Sequence, residues 1–207
     1  MGEVTPKQYL PLDGKPIALH SFTTIAQSDL VAEVVVVCDQ HYEHHFHGAR
    51  FARPGPRRQD SVFHGLQAIS PDTDLILIHD IARPLLAEED LENVILEGNL
   101  HGAATLATPV TSTIKIADEK LMVTQTLDRS FLYNIQTPQV LKKKILLEGF
   151  AKAHAEEITV TDDVSLAELT SSPVKLVMGS RDNIKITTPE DLVFAENILR
   201  ERSALQI

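Results

Sequence analysis

The order of apolar and polar residues along the chain predicts strands that alternate with amphipathic helices. Two runs are unbroken and apolar, as expected of strands covered on both faces: residues 34–38 and 75–78. Residues 103–107 form a weaker third run. Apolar positions recur with helical spacing in segments that begin near Pro16, Ser61 and Glu88. Strands in this alternation are joined by crossover connections, which are right-handed in nearly all proteins. The pattern therefore predicts an α/β fold of three layers, with a mainly parallel sheet between helices.

The alternation is interrupted between about residues 109 and 138. Residues 111–116 and 121–124 are predicted as two short strands around a polar turn at 117–120. A two-stranded hairpin cannot bury its apolar face alone, so it must pack on the rest of the domain or on another subunit. We therefore expect an inserted β-arm in this region.

Regular structure is predicted again beyond the arm. The segment from residue 139 to about 154 has the pattern of a helix, and residues 174–178 and 183–186 have that of strands. In the last helix, Thr188 stands at the cap position and Asp191 completes an approximate capping box. The helix is therefore expected to begin at this point.

Composition narrows the classes of protein that this chain can represent. Its 207 residues suit one domain, and a formal net charge of −10 disfavours nonspecific nucleic-acid binding. Cys38 is the only cysteine, which excludes an internal disulfide and a thiolate metal cage. No apolar run reaches the roughly 18 residues that a membrane-spanning helix needs. We expect a single cytoplasmic domain, residues 1–207, with neither a nucleic-acid nor a membrane partner.

Candidate chemistry is sought at the carboxyl ends of the strands, where open α/β sheets bind their ligands. Asp80 follows the run at 75–78, where a carboxylate is suited to hold Mg²⁺ between phosphate oxygens. Arg83 lies three residues further on and is suited to bind a second phosphate. The alternative is a structural turn in which Arg83 is the ion-pair partner of Asp80.

Two further segments carry side chains suited to phosphate. Residues 53–61 contain three arginines and enter a helix, so that side chains and backbone N–H groups can face an anion there. The alternative is a solvated basic loop. Lys185 lies within an apolar stretch, where an ammonium group needs either a partner or a bound anion.

Six short motifs occur in order along the whole chain: Pro-Lys-Gln-Tyr-Leu at 6–10, Gly-Lys-Pro at 14–16, Asp-Ser-Val at 60–62, His-Asp-Ile-Ala-Arg-Pro at 79–84, Thr-Pro-Gln at 137–139 and Asp-Asn-Ile-Lys at 182–185. Together they resemble the 2-C-methyl-D-erythritol 4-phosphate cytidylyltransferase family of the non-mevalonate route to isoprenoids. The resemblance implies a Rossmann-like nucleotidyltransferase domain. It also implies transfer of a cytidylyl group from CTP to methylerythritol phosphate, with Mg²⁺ present and pyrophosphate released.

The resemblance further implies roles for individual residues. Those implied to bind CTP are Lys7, Gly55, Ser61 and Asp80, of which Asp80 also meets the magnesium ion. Those implied to surround the methylerythritol phosphate are Arg83, Thr113, Arg129, Thr137, Thr161 and Lys185. Lys7, Arg129 and Lys185 are the implied catalytic residues, because fixed positive charge stabilises the charge that spreads over the phosphates during in-line attack.

The arm at about 109–138 also gains an interpretation from the resemblance. In the family, this arm reaches across a homodimer, so Thr113 and Arg129 would serve the site of the neighbouring subunit. The alternative is that Arg129 simply pairs with Asp128 or another acid nearby.

The sequence departs from the family pattern at its start. The family begins with a strand and a glycine-rich loop that carries an arginine, followed by the Pro-Lys-Gln motif. Here that motif begins at Pro6, so we expect the domain to lack its first strand and its backbone cradle for the triphosphate, and translation to start upstream. Ile81 also stands where the family has a small alanine. Two alternatives stay open: a cytidylyltransferase for another polyol phosphate such as ribitol 5-phosphate, and a non-catalytic nucleotide-binding dimeric scaffold.

Overall fold

A computed structural model describes residues 6–204 of the chain. The helices of this part are α1 (Ile17–Ala26), α2 (Arg58–Ala68), α3 (Glu88–His101), α4 (Lys143–Ala155), α5 (Ser165–Leu169) and α6 (Pro189–Ala204). The strands are β1 (Pro11–Leu12), β2 (Lys15–Pro16), β3 (Val35–Val37), β4 (Arg50–Ala52), β5 (Leu75–Ile78), β6 (Ala103–Pro109), β7 (Lys115–Ala117), β8 (Val123–Thr126), β9 (Tyr133–Lys142) and β10 (Lys175–Met178). The predicted α/β architecture is confirmed.

The largest sheet has four strands in the order β10-β6-β9-β5. β10 runs parallel to β6, whereas β9 runs antiparallel to both of its neighbours. The sheet is therefore mixed rather than parallel throughout. β9 reverses direction because the chain leaves the sheet after β6, forms the arm, and returns directly alongside β6.

Helices cover both faces of this sheet. Successive strand residues point to opposite faces, and β9 shows this clearly: Val140 packs with apolar residues of α1 and α3, whereas Leu141 packs with those of α2, α4 and α5. Gly98 allows α3 to approach β9 closely, since a Cβ atom there would lie 2.4 Å from Cγ1 of Val140. The result is the predicted arrangement of three layers.

Two predicted elements are wrong. Residues 139–142 were expected to begin a helix, but they belong to β9, and the helix begins at Lys143. Backbone pairing of this segment with β5, from Ile78 opposite Gln139 to Leu75 opposite Lys142, outweighs its local helical pattern. Residues 183–186 were expected to form a strand, but they are irregular. Their backbone instead bonds to a neighbouring turn, with the N–H of Ile186 donating to the carbonyl of Ala82 at 2.8 Å.

The start of the last helix agrees with its predicted cap. The N–H of Thr188 donates to Oδ2 of Asp191 at 2.8 Å, and the N–H of Asp191 donates to Oγ1 of Thr188 at 3.4 Å. Hydrogen bonds from Thr187 and Thr188 lower the pKa of Asp191 to about 2. These reciprocal bonds satisfy N–H groups that have no partner inside the helix.

β3 and β4 form a separate parallel pair, with Val35 opposite Arg50 and Val37 opposite Ala52. In residues 6–204, β3 pairs only with β4 and β5 pairs only with β9. A cavity of about 620 Å³ lies between β3 and β5 and is lined by residues of both strands. The two sheets are therefore not joined by backbone hydrogen bonds in the described part of the chain.

The predicted hairpin of the arm is present as β7 and β8, which pair antiparallel with Lys115 opposite Thr126. The central sheet resumes at Tyr133, so the protruding part of the arm lies between β6 and that residue.

None of the helices in residues 6–204 combines the length and the apolar character that crossing a membrane requires.

Candidate active site

Asp80 lies at the carboxyl end of β5, in the turn that follows Ile78. Its Oδ2 atom is 2.7 Å from Nζ of Lys185, and its Oδ1 atom accepts a hydrogen bond from the N–H of Ala82 at 3.0 Å. Burial alone would raise the pKa of Asp80, but the bonds from Lys185 and Ala82 outweigh it and hold the pKa below its ordinary value. At neutral pH the site therefore contains a carboxylate paired with an ammonium group.

Thr137 connects β9 to the turn that carries Asp80. Its Oγ1 atom accepts a hydrogen bond from the N–H of Asp80 at 3.0 Å and donates to Nδ1 of His79 at 3.2 Å. The Nε2 atom of His79 donates to the carbonyl of Arg83 at 3.0 Å. This pattern requires a neutral imidazole, and burial lowers the pKa of His79 to about 4. His79 and Thr137 therefore fix the shape of the turn around Asp80.

Arg83 connects the same turn to the irregular segment after β10. Its Nη1 atom donates to the carbonyl of Asn183 at 2.7 Å, and its Nη2 atom to that of Ile135 at 3.4 Å. Its pKa is lowered by burial, which the nearby carboxylate of Asp80 opposes. Within the described residues, Nε of Arg83 and Oδ1 of Asn183 are buried without a hydrogen-bond partner.

Four of the residues predicted from the sequence thus lie together, and we call them the strand-end cluster: Asp80, Arg83, Thr137 and Lys185. The predicted alternative, a direct Arg83–Asp80 ion pair, is replaced by pairing of Asp80 with Lys185. The side chain of Lys185 is still 43% exposed. Its charge therefore remains accessible to a ligand.

A second group of residues, which we call the α2 group, surrounds the first turn of α2: Gly55, Arg58 and Ser61. The N–H of Gly55 donates to Oγ of Ser61 at 2.9 Å. A Cβ atom at Gly55 would lie 2.5 Å from Cβ of Asp60, so this close approach requires glycine. Arg58 and Ser61 line the cavity between β3 and β5 together with Asp80 and Lys185. The two groups therefore face one space.

Among the described residues, the remaining predicted side chains form no hydrogen bond or ion pair with these two groups. Lys7 is exposed in the 3₁₀ turn Lys7–Tyr9, which is held in place because the ring of Tyr9 stacks on Tyr42 with a centroid separation of 3.8 Å. Thr161 is exposed in the connection between α4 and α5. For neither side chain does the structure give a hydrogen bond among the described residues.

Thr113 and Arg129 lie on the arm and are exposed. Nη1 of Arg129 donates to the carbonyl of Thr111 at 2.5 Å. Asp128, the partner considered for Arg129, instead accepts hydrogen bonds from the N–H and Oγ of Ser130, which lower its pKa. Within one chain, neither arm residue contacts the strand-end cluster through a hydrogen bond or ion pair of the described residues.

The structure gives roles to three residues that lie in segments named from the sequence but received no individual role there. Arg58 forms a two-point ion pair with buried Asp163, at 2.9 and 2.5 Å. Gln139 is 1% exposed and uses its whole amide group in hydrogen bonds. A buried glutamine needs such partners, but the sequence does not reveal which ones. His79 is the third addition, as the residue that orients Thr137.

The donor set limits which metal can bind. In residues 6–204, no group of three or more His, Cys, Asp or Glu side chains is placed to hold a metal ion. Asp80 offers one ionised carboxylate in the strand-end cluster. A single carboxylate fits Mg²⁺, which takes most of its ligands from water and substrate phosphates.

Comparisons with known proteins agree with the motifs. The sequence model of the 2-C-methyl-D-erythritol 4-phosphate cytidylyltransferase family matches residues 1–201. A chloroplastic protein of that name from Oryza sativa subsp. japonica is 48% identical over 210 residues, which cover 98% of this chain and 71% of the relative. A relative of that name from Pelotomaculum thermopropionicum is 41% identical, over 98% of this chain and 90% of its own length.

Solved structures give the same result. The crystal structure of 4-diphosphocytidyl-2C-methyl-D-erythritol synthase from Anaerococcus prevotii superimposes with a TM-score of 0.87 and 32% identity over 93% of each chain. That of 2-C-methyl-D-erythritol 4-phosphate cytidylyltransferase from Thermus thermophilus superimposes with a TM-score of 0.83 and 31% identity over 94% of each chain. The chain therefore belongs to the 2-C-methyl-D-erythritol 4-phosphate cytidylyltransferase family.

Proposed function

We propose that this chain joins CTP and 2-C-methyl-D-erythritol 4-phosphate to give 4-diphosphocytidyl-2-C-methyl-D-erythritol and pyrophosphate, a step of isoprenoid precursor biosynthesis. Family membership supports this reaction, and the observation that carries it is the strand-end cluster. There an accessible ammonium group, Lys185, is held 2.7 Å from Asp80 beside Thr137 and Arg83. Positive charge and a carboxylate suited to Mg²⁺ therefore lie at the edge of the sheet where α/β proteins bind nucleotides.

The reaction requires that the protein position the two substrates and stabilise negative charge, and it requires no proton to be removed from the attacking group. The attacking oxygen belongs to a phosphate that is already ionised at neutral pH, so no side chain must act as its base. Lys185 is suited to hold that phosphate in line, because the bond to Asp80 fixes its ammonium group while part of it stays exposed. Thr137 keeps the turn of Asp80 in place, and Arg83 adds a second positive charge near the phosphates.

We assign the metal and nucleotide contacts to the residues that sequence reasoning named. Asp80 would hold Mg²⁺, which neutralises charge on the triphosphate when it is bound. Ser61 lines the same cavity as Arg58, and Gly55, whose N–H donates to Oγ of Ser61, would approach the nucleotide base together with it. Lys7, exposed in its turn, would meet the phosphates of CTP and stabilise the developing charge.

We also propose that two copies of the chain form a homodimer through the arm. The arm exposes large apolar side chains that a second copy would cover: Leu121, Met122, Val123 and Phe131, which are 85%, 65%, 60% and 80% exposed. A two-stranded hairpin with such a surface gains stability by packing on a partner. Thr113 and Arg129 would then bind methylerythritol phosphate in the partner's site.

Replacement of Arg129 by alanine tests this arrangement. Loss of one phosphate-binding charge should raise the KM for methylerythritol phosphate by about tenfold or more, whereas the KM for CTP should change by less than about twofold. Steady-state kinetics measure both constants, and Lys120→Ala, on the exposed turn of the same arm, is the matched control. Equal losses for both substrates would contradict the role assigned to Arg129.

The reaction itself is tested by pyrophosphate release in the presence of Mg²⁺. The chain, and a form extended at its N-terminus with the corresponding segment of the rice relative, are each given CTP with methylerythritol phosphate or with ribitol 5-phosphate. We expect release with methylerythritol phosphate from at least one form. Preference for ribitol 5-phosphate would support a different polyol phosphate as substrate. Nucleotide binding without turnover in both forms would support a non-catalytic scaffold.

For location, we propose the cytoplasm. One buried cysteine and the absence of a membrane-crossing helix in residues 6–204 support an aqueous, reducing compartment. The rice relative is chloroplastic. Fractionation of cells that express the full-length protein distinguishes the cytoplasm from a plastid.

A further inference from the structure

The connection between α4 and α5 is held by side chains from other parts of the fold. Residues 158–164 form the second part of this connection, which we call the 158–164 loop. Gln59, on α2, binds its first part from both directions: Nε2 donates to the carbonyl of Ile158 at 3.3 Å, and Oε1 accepts from the N–H of Val160 at 3.0 Å. The exposed residue Thr161 follows directly after this anchor.

The second anchor of the loop is an ion pair. Arg58, also on α2, donates from Nη1 to Oδ1 of Asp163 at 2.9 Å and from Nη2 to Oδ2 at 2.5 Å. Asp163 is 1% exposed, so the pair is shielded from solvent on one side, and its two parallel bonds fix the relative orientation of both groups. Arg58 also lines the cavity next to Asp80 and Lys185. The loop is thereby attached to the wall of the candidate site.

The third anchor is Gln139 on β9. Its Oε1 atom accepts hydrogen bonds from the N–H groups of Asp163 at 2.7 Å and Val164 at 3.0 Å. Its Nε2 atom donates to Oδ2 of Asp162 at 3.1 Å and to the carbonyl of Gln136 at 3.3 Å. Both donors and both acceptor positions of the amide are used, and three of the four bonds reach the loop.

Gln139 also lies in the strand that supplies Thr137 to the strand-end cluster. Gln139 follows Thr137 by two positions in β9 and pairs with Ile78, two residues before Asp80. One strand thus carries the residue that fixes the turn of Asp80 and the residue that fixes the 158–164 loop. A displacement of the loop relative to the cluster is opposed by this shared support.

We infer that Gln139 is a positioning residue, which holds the 158–164 loop so that Thr161 contacts the polyol phosphate while the strand-end cluster holds the phosphate from the other side. This inference rests on the proposed function. It assigns to Gln139 an effect on the polyol phosphate substrate and not on CTP, because its bonds reach the loop of Thr161 and none reaches the α2 group directly.

Gln139→Met, which keeps the size of the side chain and removes its polar atoms, tests the inference. We expect the dissociation constant and KM for methylerythritol phosphate to rise about tenfold, with those for CTP changed by less than about twofold. Hydrogen exchange of the Asp163 and Val164 amides should become faster in the same variant. Thr105→Val is the matched control, since it removes a buried hydrogen bond to the same strand, to the carbonyl of Gln136 at 3.1 Å, but touches no loop residue.

If Gln139→Met fails to fold, Gln139→Glu replaces it. Glutamate can still accept the bonds from the two N–H groups, but it loses both bonds that Nε2 donates, to Asp162 and to the carbonyl of Gln136, and it brings a second carboxylate next to that of Asp162. The same constants should therefore shift in the same direction. Equal changes in the constants for CTP and methylerythritol phosphate, or no change in either, would overturn the positioning role of Gln139. The proposed function would stay intact in that case, provided that the wild-type protein turns over methylerythritol phosphate. Absence of methylerythritol phosphate turnover in both the wild-type chain and its N-terminally extended form would contradict the proposed function itself, and the inference with it.

Discussion

The strand-end cluster is carried by a four-stranded sheet, whereas the α2 group is carried by a layer that consists of β3, β4 and α2. In the cluster, side chains bond to the backbone of neighbouring segments: Thr137 to the turn of Asp80, and Arg83 to the carbonyl of Asn183. In the α2 group, Gly55 bonds to Ser61 within one turn, and the side chain of Arg58 pairs with the side chain of Asp163. The cavity of about 620 Å³ separates the two sheets.

This difference shows how each half of the site obtains its rigidity. The strand-end cluster is held by strand pairing, because the backbone hydrogen bonds between β5, β9 and β6 fix the strands next to its residues. In the layer of β3, β4 and α2, side chains make the polar connections, and Glu33 links the start of β3 to the segment between α2 and β5. Glu33 accepts hydrogen bonds from the N–H of Ser70 at 2.6 Å, from Thr73 Oγ1 at 2.9 Å and from Arg50 Nη1 at 3.0 Å.

The largest effect is expected in the strand-end cluster. Lys185→Ala removes the accessible ammonium group and leaves the partly buried carboxylate of Asp80 without its partner. We expect kcat/KM for methylerythritol phosphate to fall by about 100-fold or more, measured by pyrophosphate release. Lys175→Ala, which removes an exposed lysine of β10, should leave the rate within about twofold. A comparable loss in both variants would contradict the role of the cluster.

A smaller effect is expected in the α2 group. Gly55→Ala places a Cβ atom 2.5 Å from Cβ of Asp60, so the turn must shift and the bond to Ser61 is strained. We expect the KM for CTP to rise about tenfold, which corresponds to about 1.4 kcal/mol. Pro56→Ala, at the exposed next position, serves as control. If the KM for CTP stays unchanged in Gly55→Ala, this turn does not contribute to nucleotide binding.

The smallest effect concerns the attachment of the β3–β4 layer. Hydrogen bonds, first from the Ser70 N–H and then from the Thr73, Ser70 and Arg50 side chains, lower the pKa of Glu33 to about 2, against the effect of burial. A lowered carboxyl pKa stabilises the fold above the unfolded value of about 4.5, and the contribution is lost as the pH falls from there towards 2. Because Glu33 is partly solvated, we expect Glu33→Gln to cost about 1–2 kcal/mol at pH 7.

Denaturant unfolding at several pH values measures this contribution. The difference between wild type and Glu33→Gln should be constant near neutral pH and should shrink below pH 4.5. Glu148→Gln, whose carboxylate lies 3.9 Å from Lys144 on an exposed helix face, should change stability by less than about 0.5 kcal/mol. A Glu33 effect as small as that control would contradict the contribution assigned to Glu33.

The sequence predicted those parts of the fold whose signals are local. The run at 75–78 became β5, and the cap residues Thr188 and Asp191 form the predicted bonds. β9 was missed over residues 139–142, because its strand state depends on pairing with β5 and β6, which are far away in sequence. Pairing partners of this kind are not encoded in local periodicity.

The candidate site also contains residues that the sequence predicted and residues that it could not predict. Ordered motifs identified Asp80, Arg83, Thr137 and Lys185, and the structure brings them together. The role of Gln139 could not be predicted, because its partners lie 23 to 25 residues away in a loop without regular structure. The contribution of Thr113 and Arg129 depends on a second copy of the chain, so it stays a prediction.

The most direct test of cytidylyl transfer at the strand-end cluster is phosphorus NMR of the product formed from CTP and methylerythritol phosphate with Mg²⁺. We expect the coupled resonances of a new diphosphate from the wild-type protein or from its N-terminally extended form. The Lys175→Ala variant of whichever form is active should give the same resonances. Lys185→Ala should produce none above background. Equal product from both lysine variants would contradict the placement of the site, and no diphosphate from either wild-type form would contradict the proposed reaction.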